Sequence, residues 1–376
     1  MSTTSRTSSR GGAAQPGGAT PVTASFAIVG RPSSPALVDF LPRLRTALGQ
    51  AGLSEIGDAN AADLVINVVD ARKPKPFRRR SRGTFVVGLY DRDSHSLPED
   101  YPMLVRALAN IALCYVPGDG AWFTTMERGH YGDSAEHGED ALAEAVVQRL
   151  LPLARSRLVI DNEFVTDLEE ELWRGDEVTE EIAAAGARMG DLDLLPSPFP
   201  IEDLLSEREL RHVKRLYGIG GLSYGNLSQR KDERRFWMSA SGVDKSKLEV
   251  PGRDILLVSD YDQEHGRIVL SVPPDVEPRR VSVDAIEHWM IYQAHPGVGA
   301  ILHVHAWMEG IRATDVNYPC GTEELAASVA ELLAAEPNPD EAVIGLRNHG
   351  ITVTGPSLMA ILDRIEPKIL RQVPMM

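Results

Sequence analysis

Three features of the sequence predict an α/β protein in two parts. Short β-branched apolar runs alternate with helical spacing up to about residue 155, a Pro-rich break falls at Pro196, Pro198 and Pro200, and a second set of apolar runs follows it. The length of 376 residues supports the division, because it exceeds what a single core usually serves.

Residues 1–24 are rich in Ser, Thr, Gly, Ala and Arg and contain no acidic residue, a composition that does not support a packed core, and a flexible tail is expected. Ser25 to Gly30, Asp63 to Val69 and Thr84 to Tyr90 read as buried strands bounded by Gly, Pro or charge. Ala36 to Ala51 and Tyr101 to Leu113 carry the helical spacing between and after them, so residues 25–155 form a smaller α/β domain whose role the sequence does not disclose. Its opening turn, Gly30 to Pro35, matches neither GxGxxG nor GxxxxGK(S/T), so neither a dinucleotide nor a P-loop site is implied. The basic run Lys73 to Arg82 reads as a solvated loop. Residues 156–200 are acidic and helical in pattern and are expected to link the halves. Ile201 to Tyr217 resumes a helix with one apolar face, opening a second domain over residues 201–376.

Composition removes several function classes. A formal net charge of -15 argues against a nucleic-acid binder, whose affinity comes from clustered Lys and Arg. Cys114 and Cys320 alone supply neither a disulfide framework nor a CxxC pair, which fits a reducing cytoplasm. With nucleic acid set aside, small-molecule chemistry is the expectation, and because neither a membrane span nor a secretory signal is expected, so is a soluble protein.

The run Gly299 to His305 (GAILHVH) reads as a buried strand ending in two imidazoles, and side chains two apart share a face. His303 and His305 can therefore address one point. Asn348-His349-Gly350 interrupts two further apolar runs as a turn would, and offers a third nitrogen. Three neutral imidazoles with an open position describe a catalytic metal site. Asp284 opens a probable helix that leads back into the His303 strand. It has an ordinary explanation as a carboxylate complementing the helix dipole, yet it shares a face with His288. The Gly-containing turns Ser223 to Ser228 and Ser239 to Gly242 can present backbone N–H groups to an anion, although most such turns are only turns. The remaining histidines read as ordinary hydrogen-bonded residues.

Taken in order, GNLS, SASG, SVD, HVH and RNHG resemble the class II aldolase/adducin family, which includes fuculose-phosphate aldolase and ribulose-phosphate 4-epimerase, over residues 201–376. The resemblance implies an α/β sandwich with a central antiparallel sheet and a homo-oligomer, tetramer or dimer, with sites between subunits. By position it makes His303, His305 and His349 the metal ligands, with Zn2+ the expected ion and Fe2+ or Mn2+ the alternatives. Asp284 falls at the acid/base carboxylate, Tyr318 falls near a catalytic Tyr, and Asn226, Ser241, Gly242 and Ser282 fall where the substrate's polar head is held. Val283 replaces a family Ser and Ser239 a family Lys, which together favour a less charged or non-phosphorylated substrate. The implied activity is a metal-dependent aldol-type lyase on a hydroxy-carbonyl compound. An epimerase working by retro-aldol cleavage, a non-haem Fe(II) oxygenase and a non-catalytic adducin-like module are the alternatives.

Overall fold

In a computed structural model of the chain, residues 24–126, 129–196, 201–217 and 223–376 are described. The expected flexible tail lies outside them, apart from Ala24. The first sheet holds β1 (Ser25–Gly30), β2 (Ser54–Glu55), β3 (Leu64–Val68), β4 (Phe85–Asp91), β5 (Ile111–Val116), β6 (Gly120–Thr125) and β7 (Gly129–Ser134), ordered 2-1-3-4-5-6-7. Its first five strands run parallel, and β6 and β7 add antiparallel. A parallel sheet must be covered on both faces, which is why these strands are apolar throughout rather than alternating.

Helices α1 (Pro35–Gln50) and α3 (Glu139–Arg155) cover one face, burying Phe40, Leu44, Val146 and Leu150 against Leu64, Ile66 and Val87. On the other face α2 (Leu97–Ala107) packs Tyr101 and Leu104 over Val65 and Val86. Ser34 caps α1 by accepting from the Leu37 N–H, and Pro35 occupies the first turn, where its missing N–H costs nothing. The helix expected over 101–113 stops at Ala107. Leu108 turns left-handed at φ 53°, and the continuous apolar run from Ile111 becomes β5 instead.

Of the stretch 156–200, expected as a helical linker, the described part up to residue 196 contributes to the second sheet and its core. Its residues 161–165 form β8 (Asp161–Val165), and α4 (Glu177–Asp191) buries Ile182, Ala185 and Met189 in that sheet's core. The helix expected over 201–217 breaks at Ser206 into α5 (Ile201–Leu204) and α6 (Glu207–Tyr217). Both lie on the first sheet: Ile201, Leu205 and Val213 join the core around Tyr101, and Arg106 Nε donates to Glu209 Oε1 at 2.6 Å. The apolar face of an amphipathic helix requires burial but does not say which sheet supplies it.

The second sheet continues with β9 (Asn226–Arg230), β10 (Phe236–Ser239), β11 (Ile255–Asp262), β12 (Arg267–Ser271), β13 (Ala300–Val304), β14 (Arg312–Ala313), β15 (Val343–Leu346) and β16 (Gly350–Gly355). Its order is 14-15-16-13-9-10-11-12-8, antiparallel except at the two outermost pairs. The central antiparallel sheet of an α/β domain is therefore present. Helices α7 (Ala285–Ala294), α8 (Glu323–Ala334) and α9 (Leu358–Ile365) complete the covering layers. The fully buried Trp237, Leu257, Ile301 and Leu302 lie in its core. Among the described residues no helix is long and apolar enough to cross a membrane.

Candidate metal centre

Strand β13 sits between β9 and β16, so its side chains are enclosed from both sides. His303 pairs with Asn226 on β9 and with Thr352 on β16, and is buried. His305 follows one residue beyond the strand, on the face that alternation assigns to His303. Close approach makes this possible. Gly225, at φ +76°, lies where an added Cβ would stand 2.5 Å from the His303 carbonyl oxygen. A Cβ on Gly350 would stand 2.3 Å from the Val304 carbonyl oxygen.

His349 occupies the turn from β15 to β16. Its neighbour Asn348 is buried and left-handed at φ 55°, a conformation Asn tolerates. The Asn348 amide donates to the Met376 carbonyl oxygen at 2.9 Å and accepts from the Met376 N–H at 2.7 Å. Arg149 of α3 donates to the same carbonyl at 2.9 Å, so the first sheet's helix layer helps hold this turn.

The three imidazoles come together. Their ring centroids lie 4.7–5.2 Å apart with interplanar angles of 62–68°, and one nitrogen from each falls within 4.8 Å of the others. His305 Nε2 and His349 Nε2 are 3.2 Å apart. With metal–nitrogen bonds of about 2.0–2.1 Å, two tetrahedral ligands stand about 3.3 Å apart, so this pair has the spacing of two ligands of one ion. His303 Nδ1 lies 3.1 Å from the Ile351 carbonyl oxygen. As the donor there, Nδ1 carries the proton and Nε2 the lone pair, the tautomer that a ligand imidazole needs. Edge-on rings, burial and this backbone partner fit a divalent ion.

The acidic partner lies beside the cluster. Asp284, 7% exposed, precedes α7 and accepts from Asn226 Nδ2 through Oδ2 at 2.7 Å. Its Oδ1 is buried and has no hydrogen-bond partner among the described residues. Asn226, the ladder neighbour of His303, thus joins the carboxylate to the imidazole strand.

Beside Asp284 lie further buried polar groups, of which the sequence reading named His288 and missed Glu287. Glu287 is fully buried and accepts from Thr352 Oγ1 at 2.5 Å. Burial, reinforced by the Asp284 charge, pushes its carboxyl up to about 8. His288 hydrogen-bonds Ser228 Oγ at 2.7 Å through Nδ1, and burial brings it down to about 3. Both groups are thus neutral at pH 7. Glu287 follows Asp284 by three residues, a helical spacing that could have signalled it. Lys245 carried no comparable signal. It is almost fully buried, donates Nζ to the Ser223 carbonyl oxygen at 2.7 Å, and burial lowers it to about 8 against the opposing pull of Asp284 and Asp244.

The remaining expected site residues gather on adjoining loops. An antiparallel bridge between Ala240 and Val281 joins their segments. Ser241 donates its N–H to the Arg280 carbonyl at 2.8 Å, and Ser282 donates to the Ser239 carbonyl at 3.3 Å. Gly242, at φ +71°, completes that turn. Ser239 lies inward, its Oγ accepting from the Leu227 N–H at 3.4 Å. Val283 is 36% exposed at the surface of this loop set. Tyr318 packs against the second sheet's core, and the Sγ of Cys320, two residues on, lies 3.5 Å from His349 Nε2.

Residues 210–313 match the family model described as the Class II Aldolase and Adducin N-terminal domain. This segment contains Asn226, Ser241, Gly242, Ser282, Asp284, His303 and His305, whereas Tyr318 and His349 lie beyond it. No curated protein matches the chain. Among solved structures, an L-fuculose 1-phosphate aldolase is 20% identical, covering 51% of this chain and 81% of its own, with a TM-score of 0.35. YgbL from Klebsiella pneumoniae is 19% identical over 51% and 86%, at 0.32. An aldolase II superfamily protein from Pseudomonas syringae is 17% identical over 53% and 75%, at 0.34.

Proposed function

We propose, from the class II aldolase-type domain that residues 210–313 mark, that His303, His305 and His349 hold a divalent metal and that the chain is an aldol-type lyase acting on a small hydroxy-carbonyl compound. Zn2+ is the proposed ion, since three imidazoles with an open position suit it. A bound ion would supply a Lewis acid that draws negative charge onto the substrate's carbonyl oxygen.

The protein's own groups do the rest. Asp284 moves a proton at the carbon next to that carbonyl. The observation that carries this role is its divided environment: Oδ2 is fixed by Asn226, and Oδ1 is buried with no hydrogen-bond partner among the described residues. A carboxylate so held keeps one oxygen aimed and available, the geometry general acid/base work requires. Neutral Glu287 beneath it adds hydrogen-bonding capacity without a second negative charge. Ser241, Gly242 and Ser282 bind the polar head of the substrate. The absence of Lys at 239, the inward turn of the Ser239 hydroxyl and the apolar Val283 support a head less charged than a phosphate ester.

Deuterium exchange tests this reading. Zinc-loaded protein incubated with dihydroxyacetone in D2O should wash deuterium into the carbon beside the carbonyl, followed by proton NMR. Chelator-treated protein should not. Undiminished exchange after chelation, or exchange that survives Asp284→Asn intact, would refute the assignment. With a full-length substrate, release of two fragments identifies a lyase and appearance of a stereoisomer an epimerase.

A further inference from the structure

We infer that the first domain carries a ligand site of its own, in the crevice beyond the ends of β1, β3 and β4, and that its ligand is a basic amino acid. The sheet order places the crevice. Helix α1 leads from β1 to β2 on one side, whereas β3, β4 and β5 lie on the other, so the chain diverges at the carboxyl ends of β1 and β3. Open parallel sheets of the order 2-1-3-4-5 bind their ligands at that point. A crevice of about 500 Å³ lies there, inside the range of about 300–1,000 Å³ usual for small-molecule sites. Segments following three strands line it: Ser33 after β1, Asp70 and Arg72 after β3, and Asp93 after Asp91 at the end of β4. Gly30, at φ +84°, forms the exit from β1, where an added Cβ would stand 2.1 Å from the Val68 carbonyl oxygen, so β1 and β3 stay in contact up to the crevice floor.

The wall on the β4 side is fixed from beneath. Asp100 is fully buried and accepts from the Tyr90 hydroxyl at 2.8 Å and from the Ser96 N–H at 3.1 Å, while Arg92 Nε stands 3.5 Å from its Oδ1. His95 stacks on Trp122 of β6, with ring centroids 3.4 Å apart, and shares a 2.8 Å hydrogen bond with His130 of β7. Arg92 is thus committed to Asp100, and Asp70 accepts from the Arg72 N–H at 2.8 Å within its own turn. The other charges of the crevice are uncommitted. Among the described residues Arg72, Asp91, Asp93 and Glu99 form no ion pair, with one another or elsewhere. Charges of both signs therefore line one crevice without meeting, and a ligand carrying both can join them. Its carboxylate would take the Arg72 guanidinium and the Ser33 hydroxyl, and its ammonium would take Asp91 and Asp93. These carboxylates outnumber the free guanidinium, which disfavours a phosphate ester or nucleotide and favours an amino acid with a second positive charge.

Calorimetric titration of the full chain with L-lysine and with L-arginine tests this without reference to activity. At least one of the two should bind at one equivalent. Its decarboxylated counterpart, cadaverine or agmatine, should bind at least about tenfold more weakly, because Arg72 then has no carboxylate to receive. Asp91→Asn and Arg72→Gln keep the shape of the crevice and remove one charge each. Each should raise Kd about 10- to 100-fold, the worth of a charged hydrogen bond. His303→Ala, in the other domain, should leave Kd unchanged. Failure of both amino acids to bind would overturn the inference, as would binding indifferent to both crevice variants. Binding lost in His303→Ala would place the ligand at the imidazole cluster and overturn the separate site. Inorganic phosphate binding more tightly than either amino acid would overturn the ligand class.

Discussion

Asn226 stands opposite His303 in the β9–β13 ladder and spends its amide N–H on Asp284 Oδ2, 2.7 Å away. One side chain thereby fixes the distance between the imidazole strand and the carboxylate. Asn226→Ala should leave metal content unchanged while lowering kcat more than it raises KM, because the carboxylate loses its orientation. Steady-state kinetics beside elemental analysis check this.

Asp284→Asn removes the proton carrier and keeps a hydrogen-bonding side chain of the same shape. Turnover should fall by about 10²–10⁴-fold, the usual contribution of a positioned acid/base, with zinc still bound at one equivalent. Full activity in this variant would refute the role.

His303→Ala should bind no zinc by elemental analysis. Zinc at 100 times its Kd should stabilise the wild type by about 2.7 kcal/mol and raise its melting temperature, an increment the variant should not show. An equal rise in both would place the ion elsewhere.

The buried Glu287 gives a pH signature. Its carboxyl ionises near 4.5 when unfolded and near 8 when folded, so the folded state holds the extra proton between those values. Its stabilising contribution is full below pH 4.5 and is lost as pH rises through 8. Glu287→Gln keeps an oxygen to accept from Thr352 and has no such dependence. With metal content held fixed, the melting temperature of the variant minus that of the wild type should climb between pH 5 and pH 8 and then level off. A flat difference would mean that Glu287 is ionised in the folded protein.

Gly225→Ala meets both a left-handed φ and the His303 carbonyl. It should cost about 1–3 kcal/mol in chemical denaturation and weaken zinc binding as the strand shifts.

Strand alternation made His303 and His305 legible, and the break between two apolar runs did the same for His349. Those signals are local, and so was the strand–helix alternation of the first half. Glu287 and Lys245 stayed hidden because burial of a charged residue is decided by what packs over it, which lies far away in sequence. Strand β8 was masked for a related reason. Its residues DNEFV carry no apolar alternation, and their strand state comes from pairing with β12. The face of α6 was legible, but its partner sheet was not.

The pairing of β8 with β12 also governs what can be cut from this protein. β8 closes one side of the second sheet with only five residues, and its Asp161 and Glu163 take part in ion pairs with Arg82 and Arg267. A short, charged border strand discourages another chain from adding to the sheet. A fragment beginning at residue 201 would lack it, leaving Ile268 and Leu270 on an uncovered strand, and should self-associate at concentrations where the intact chain does not. The proposed catalytic half thus depends on residues upstream of its own family segment for its solubility.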